Sequence, residues 1–132
     1  MDYQSIYQSK KKRPEKLLEL IRDRDYIFVA QAAAEPAAIL SHMQNLKNTG
    51  VKDVILQTCL PIQNYPVFHD HEMDGILFHN GWFFNANLRK AQKERLVSDI
   101  PQHSTSALRK TLDRLTYEGR RPVVMATVAP MD

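Results

Sequence analysis

Cysteine is almost missing from this chain: Cys59 stands alone among 132 residues. A single thiol excludes an internal disulfide framework and fits a reducing compartment, so the expected location is the cytoplasm. Glycine is scarce too, at four residues. Neither GxGxxG nor GxxxxGKS/T occurs, which excludes the usual glycine-rich phosphate cradles. Long apolar runs are also lacking. The run Tyr26-Ile27-Phe28-Val29-Ala30 is typical of the longest, far short of the roughly twenty residues of a membrane span. The polar start carries no apolar core of a secretory signal. Neither a membrane nor a secreted scaffold is expected.

What is present suits one folded domain with a modest core: 43% hydrophobic and 25% charged residues. Eighteen basic residues against fifteen acidic ones give +3. Residues 89–121 carry nine basic and four acidic side chains, a local +5, and Lys10-Lys11-Lys12-Arg13 forms a second cluster. No nucleic-acid reading motif accompanies either, so both read as solvated faces and nucleic acid is not an expected partner.

Residues 1–12 read as a polar arm, and 13–132 as α/β domain. Pro14 suits a first helical turn, with Leu17, Leu18 and Ile21 at helical spacing and an end near Arg24. Residues 26–30 read as a strand buried on both faces. Pro36 opens a second helix with Ile39, Met43 and Leu46 as its stripe, ending before Gly50. Val54-Ile55-Leu56 is the next strand, completing a βαβ unit. Residues 58–75, with Pro61, Asn64 and Pro66, read as an excursion over the surface. Order returns at 76–78 and at Gly81-Trp82-Phe83-Phe84. Asn85 or Asn87 caps a helix with Leu88, Ala91 and Arg95, and Ser104 or Thr105 caps another with Leu108, Leu112 and Leu115. Residues 123–128 read as a central strand. The fold class is therefore α/β: an open, mainly parallel sheet flanked by helices. A central strand four residues from the end leaves the sheet without its covering helix, so the chain reads as the first part of something longer. Uncovered, the C-terminal region is expected to drive homo-oligomerisation through Val124, Ala126 or Leu112.

The candidate chemistry is sparse. His69-Asp70-His71-Glu72 lacks the spacing of a zinc box and reads as a solvated loop, so no metal is expected. Cys59 reads as a small core residue rather than a nucleophile. His79 and His103 fall near strand ends and suit turns or caps. Trp82-Phe83-Phe84 reads as a core plug on a buried strand rather than a stacking platform. The Glu35-Pro36 junction places a helix start at the C-terminal edge of a strand, where α/β proteins bind ligands.

The residues themselves say more. IFVAQAAAEP followed by an amphipathic helix resembles the first strand–loop–helix of the acetyl-CoA hydrolase/transferase family, closest to the 4-hydroxybutyrate CoA-transferase group. YQSKKKRPEKLLELIRDRDYIFVA resembles that family's opening helix and strand. ILFHNGWFFNANLRKAQKE resembles its strand–aromatic segment with (Ser/Asn)-x-x-Arg. VSDIPQHSTSALRKTL resembles its Ile-Pro-x-His stretch, and VVMATVAPMD its strand ending in Ser-Pro-(Pro/Met)-Asp. These run in register over 3–132. Ala34 stands where many relatives carry Gly, and Ala129 where they carry Ser.

The resemblance implies the N-terminal half of an acyl-CoA:carboxylate CoA-transferase. Such an enzyme takes a coenzyme A thioester and a small carboxylate as substrates and holds no tightly bound cofactor. Its glutamate nucleophile forms a glutamyl-CoA thioester, with backbone N–H groups facing the oxyanion. That glutamate belongs to the half this chain does not contain, so no catalytic residue is assigned here and Glu35 is not its counterpart. The resemblance carries over only the loop Gln31–Pro36, with Gln31, Ala33, Ala34, Glu35 and Pro36 as a wall of the substrate cleft. The rival readings are an acyl-CoA hydrolase of the same family, a sugar-phosphate isomerase on the same broad fold, and a free-standing binding or regulatory domain. A receiver-like module is disfavoured because Asp23 and Asp25 precede the first strand instead of following it.

Overall fold

The computed structural model describes residues 2–100 and 104–129, and the backbone alone for 104–108. Its strands are β1 (Tyr26–Val29), β2 (Val54–Thr58), β3 (Leu77–Gly81), β4 (Val97–Asp99) and β5 (Pro122–Met125), all parallel in the order β4-β3-β2-β1-β5. From β1 to β4 the chain winds steadily one way. It then returns past β1 to lay down β5. Right-handed crossovers put the first three connections on one face of the sheet and the fourth on the other. The packing agrees. Ile27, Val29, Val54, Leu56, Leu77 and Met125 form one core with side chains from the connecting segments, including Leu40, Met43, Leu46 and Leu88. On the opposite face, helix α5 (Ser104–Glu118) sets Arg114 over the Tyr26 ring, 5.7 Å from its centroid.

One helix cannot cover five strands. Phe78 and Val124, on that second face, are 47% and 74% exposed. The reading of 123–128 as a central strand is thereby corrected: β5 is an edge strand of the sheet and stops at Met125. Strand β1 is buried on both faces at Tyr26 and Ile27, as read, and on the second face only Phe28 is left half-buried.

The helices are shorter than their apolar spacing suggests. After α1 (Tyr3–Lys10), which is exposed throughout and covers most of the residues read as an arm, α2 (Pro14–Leu17) tightens into a 3-10 turn at Leu18–Leu20. Pro36 caps α3 (Ala37–Leu40) rather than opening it. The Ser41 hydroxyl then bonds back to the Ala37 carbonyl at 2.7 Å, a local alternative to the helical ladder, and the chain continues as 3-10 helix over Met43–Asn48. Helix α4 (Ala86–Lys93) starts where Asn85 accepts from the Leu88 N–H, and it buries Leu88 and Ala91 fully. Arg95 falls outside it, in left-handed backbone (φ 61°). On α5, Leu115 is buried and Leu112 is 39% exposed; the Leu108 side chain and the cap at Ser104 lie outside the described residues.

The segment read as a surface excursion is instead part of the core. Tyr65, Val67, Phe68 and Met73 are all at most 4% exposed, on two 3-10 turns at Pro66–Phe68 and His71–Met73. Amide hydrogen exchange checks this directly. Slow exchange is expected at β1, at β2 and at Phe68, whose N–H is bonded to the Tyr65 carbonyl at 3.1 Å. Fast exchange is expected at exposed Gln63 and Asn64. Exchange at Phe68 as fast as at Gln63 would return the segment to the surface.

Buried charge secures the N-terminal ends of the strands. Asp25, 1% exposed, accepts from Arg121 Nε and from the Arg22 N–H, both at 2.8 Å. Arg120 bonds both Asp53 carboxylate oxygens at 2.8 Å. The turn between α5 and β5 is thus tied to the starts of β1 and β2. These two arginines of the basic 89–121 stretch are spent on the fold.

Candidate functional site

Where neighbouring parallel strands send their connections to opposite faces, the two loops part and leave a crevice at the carboxyl ends. Here the winding reverses between β1 and β5, although the described tail after β5 is fastened to the loop after β1 instead of parting from it. That place holds the loop 31–36 after β1 and the tail 126–129 after β5.

The loop is compact and tightly tied. Gln31, Ala32 and Ala33 are exposed, Ala34 is half-buried, and Glu35 and Pro36 are buried. Ala32 adopts left-handed backbone (φ 54°), a conformation that side chains with a Cβ disfavour. The position singled out for loss of glycine, Ala34, does not share it. Ala34 and Glu35 fasten the β5 tail: the Thr127 N–H donates to the Ala34 carbonyl at 2.8 Å, and its hydroxyl to the Glu35 carbonyl at 3.0 Å. The Glu35 carboxylate is committed to the segment after β2. It accepts from the Ile62 N–H at 2.7 Å and from the Tyr65 hydroxyl. Burial, and then the neighbouring carboxylate, push the Tyr65 pKa up, so the phenol remains a donor. The loop brings Gln31 and Ala33 to the rim, while Glu35 acts as an anchor inside it. Val29, Ala30, Gln31, Glu35, Thr58 and Cys59 surround a depression too narrow to admit a water molecule.

The other candidates separate. Cys59 is half-buried after β2, and burial pushes its thiol pKa up, as befits a packing residue. Asp70 caps the His71–Met73 turn and pairs with Lys47 at 3.2 Å. Among the described residues no cluster has the donors to hold a metal ion. Of Trp82-Phe83-Phe84, read as a core plug on a buried strand, Phe84 does pack against the core, but the segment is not on a strand: β3 ends at Gly81, and Phe83 is 60% exposed. Its backbone is also held, with the Trp82 and Phe83 N–H groups donating to the Thr58 and Cys59 carbonyls at 3.1 and 2.9 Å. His103 lies outside the described residues. His79 is the largest departure from the turn or cap expected. It sits in mid-strand, 3% exposed, with Nε2 2.8 Å from Thr58 Oγ1 and its ring stacked on Phe68 at 4.4 Å. Its hydrophobic neighbours in β3 gave no signal that one position of the buried row would be polar.

The reversal of winding, with a helix layer on each face and a strained loop at the switch point, defines a doubly wound parallel α/β domain. No protein-family model matches the chain, and no curated protein does. Solved structures do. The crystal structure of RipA from Yersinia pestis has a TM-score of 0.76 to this chain at 20% identity, covering 100% of this chain and 32% of that one. Two RipA structures with single substitutions give 0.77 at 21% identity, again over all of this chain. The chain spans about a third of the length of the structures it matches. At this identity the likeness is one of fold. No helix of the described residues is long and apolar enough to cross a membrane.

Proposed function

We propose that this chain is the N-terminal part of an acyl-CoA:carboxylate CoA-transferase, with the loop Gln31–Pro36 forming one wall of the substrate cleft. The observation that carries the reading is the position of that loop. The segment that resembles the acetyl-CoA hydrolase/transferase family, IFVAQAAAEP, ends at the switch point between β1 and β5. A fold-level match over the whole chain supports the order of the remaining motifs.

In this reading the substrates are a coenzyme A thioester and a small carboxylate of the 4-hydroxybutyrate, acetate or butyrate type. The nucleophile is a glutamate outside residues 1–132. Its carboxylate displaces coenzyme A from the acyl group to form a mixed anhydride, and the released thiolate then attacks the glutamyl carbonyl, expelling the original acyl group as its free carboxylate and leaving the glutamyl-CoA thioester. This chain contributes positioning, not the bond-breaking group. Glu35 is unsuited to attack, since both its oxygens already accept hydrogen bonds.

Borohydride trapping in the presence of acyl-CoA and acetate tests the proposal. The purified 132-residue chain is expected to show no turnover above background and no modified glutamate. A protein of RipA length that carries this sequence is expected to trap an adduct beyond residue 132. An adduct on this chain, or none on the longer protein, would refute the assignment. Acyl-CoA consumption without a carboxylate acceptor identifies the hydrolase instead.

A further inference from the structure

Helix α1 buries none of its residues, and Tyr3, Ile6 and Tyr7 are 75%, 37% and 56% exposed. Its capping is internal: Asp2 accepts from the Gln4 and Ser5 N–H groups at 3.1 and 3.3 Å, and the Ser9 hydroxyl donates to the Ile6 carbonyl at 2.8 Å. An isolated helix shorter than about 12–15 residues is marginal in water. At eight residues, α1 calls for a surface to lie on. Its sides differ. Tyr3, Ile6, Tyr7 and Lys10 recur at the spacing of one helical face, and the rest of the helix is Gln and Ser.

Charge accompanies that face. Lys10-Lys11-Lys12-Arg13 follow one another, and no acidic residue occurs between Asp2 and Glu15. The nearby carboxylates are already engaged: Asp2 caps α1, Glu15 faces His42 at 3.3 Å, and Glu19 pairs with Lys16 at 2.7 Å. Lys11 Nζ lies over the Tyr7 ring, 5.9 Å from its centroid, so cation and aromatic stripe share one side. Lys11 and Arg13 stand in extended backbone, which spreads the run of charge instead of gathering it at one point.

We propose that α1 and the basic run behind it make a peripheral contact with an anionic lipid surface. The apolar stripe enters the headgroup boundary, and the four cations meet the anionic headgroups around it. Such a contact lies on the membrane and involves no span. Tyrosine suits the boundary, with an apolar ring and a polar tip, and Lys10 extends its stem along the apolar layer while its ammonium reaches the headgroups. A single carboxylate would match one cation, whereas a layer of anionic headgroups matches all four. Nucleic acid would match the charge but give Ile6 no apolar phase to enter.

Co-sedimentation of the 132-residue chain with lipid vesicles tests this. Binding is expected to phosphatidylcholine vesicles containing about one-third phosphatidylserine, and not to phosphatidylcholine alone. It should be lost in about 1 M salt, where charges are screened within about 3 Å. Lys10→Gln/Lys11→Gln/Lys12→Gln is expected to weaken binding about a hundredfold, through the loss of three surface cations. Tyr3→Ser/Tyr7→Ser keeps every charge and is expected to weaken it about tenfold. These positions are exposed, so the urea midpoints of both variants should match the wild type. No binding to anionic vesicles, equal binding to neutral ones, or full affinity in the lysine variant would overturn the proposal. Full affinity in the tyrosine variant would overturn it too, because charge alone would then be acting, as it does towards nucleic acid.

Discussion

Phe68→Ala is expected to destabilise the fold by about 3–5 kcal/mol, a large part of the stability of a domain this size. Phe68 is 1% exposed and meets the edge of Tyr65 at 5.5 Å and the face of His79 at 4.4 Å. Truncation removes the ring from water-excluded packing and leaves a cavity beside a buried imidazole that needs support on that side. Phe83→Ala is the control. Phe83 is 60% exposed, so its loss should change stability by no more than about 0.5 kcal/mol. Urea unfolding of the two variants checks the pair. Equal midpoints would mean that the segment between β2 and β3 is a surface loop after all.

That contrast shows where the sequence is legible. Both phenylalanines sit among aromatic or apolar neighbours, and local pattern favoured Phe83 as the buried one. The difference arises from tertiary structure. Gly81 ends the β3 ladder, and the chain turns outward over the ends of β2, whereas Pro66 and Asp70 start short 3-10 turns that press Val67, Phe68 and Met73 inward. Turn residues mark where a chain bends, not which side it presents to the core. The βαβ unit at 26–58 was legible because its apolar runs and caps are local signals. Strand β4 was not, since it has three residues and buries only Val97. The edge position of β5 follows from strand order, which Val123 and Val124 do not encode. At the switch point, the loop 31–36 could be placed at a strand end from its motif. The inward turn of the Glu35 carboxylate could not, because its partners Ile62 and Tyr65 lie 27 and 30 residues away.

Acid should unfold this protein steeply, and His79 is the cause expected to dominate. Burial first, and the charge of His69 second, hold its pKa down to about 3, against 6.5 for a free imidazole. The sign follows from linkage. Below pH 6.5 the unfolded chain takes up a proton that the native state refuses, so stability falls as pH falls. The slope approaches about 1.4 kcal/mol per pH unit, and it ends near pH 3, where the native imidazole also protonates. Over that window the loss reaches about 4–5 kcal/mol, comparable with the Phe68 cavity. Above pH 6.5 the effect vanishes, because both states are neutral. His79→Gln separates this from general acid effects. Glutamine can still bond Thr58 Oγ1 but cannot be charged, so the variant is expected to lose stability at pH 7 while flattening the dependence between pH 6.5 and 3. Urea midpoints measured across that range, with the wild type alongside, give the difference in slope. If the two curves run parallel, the carboxylates alone set the acid sensitivity, and the native imidazole accepts its proton without first unfolding the strand that buries it.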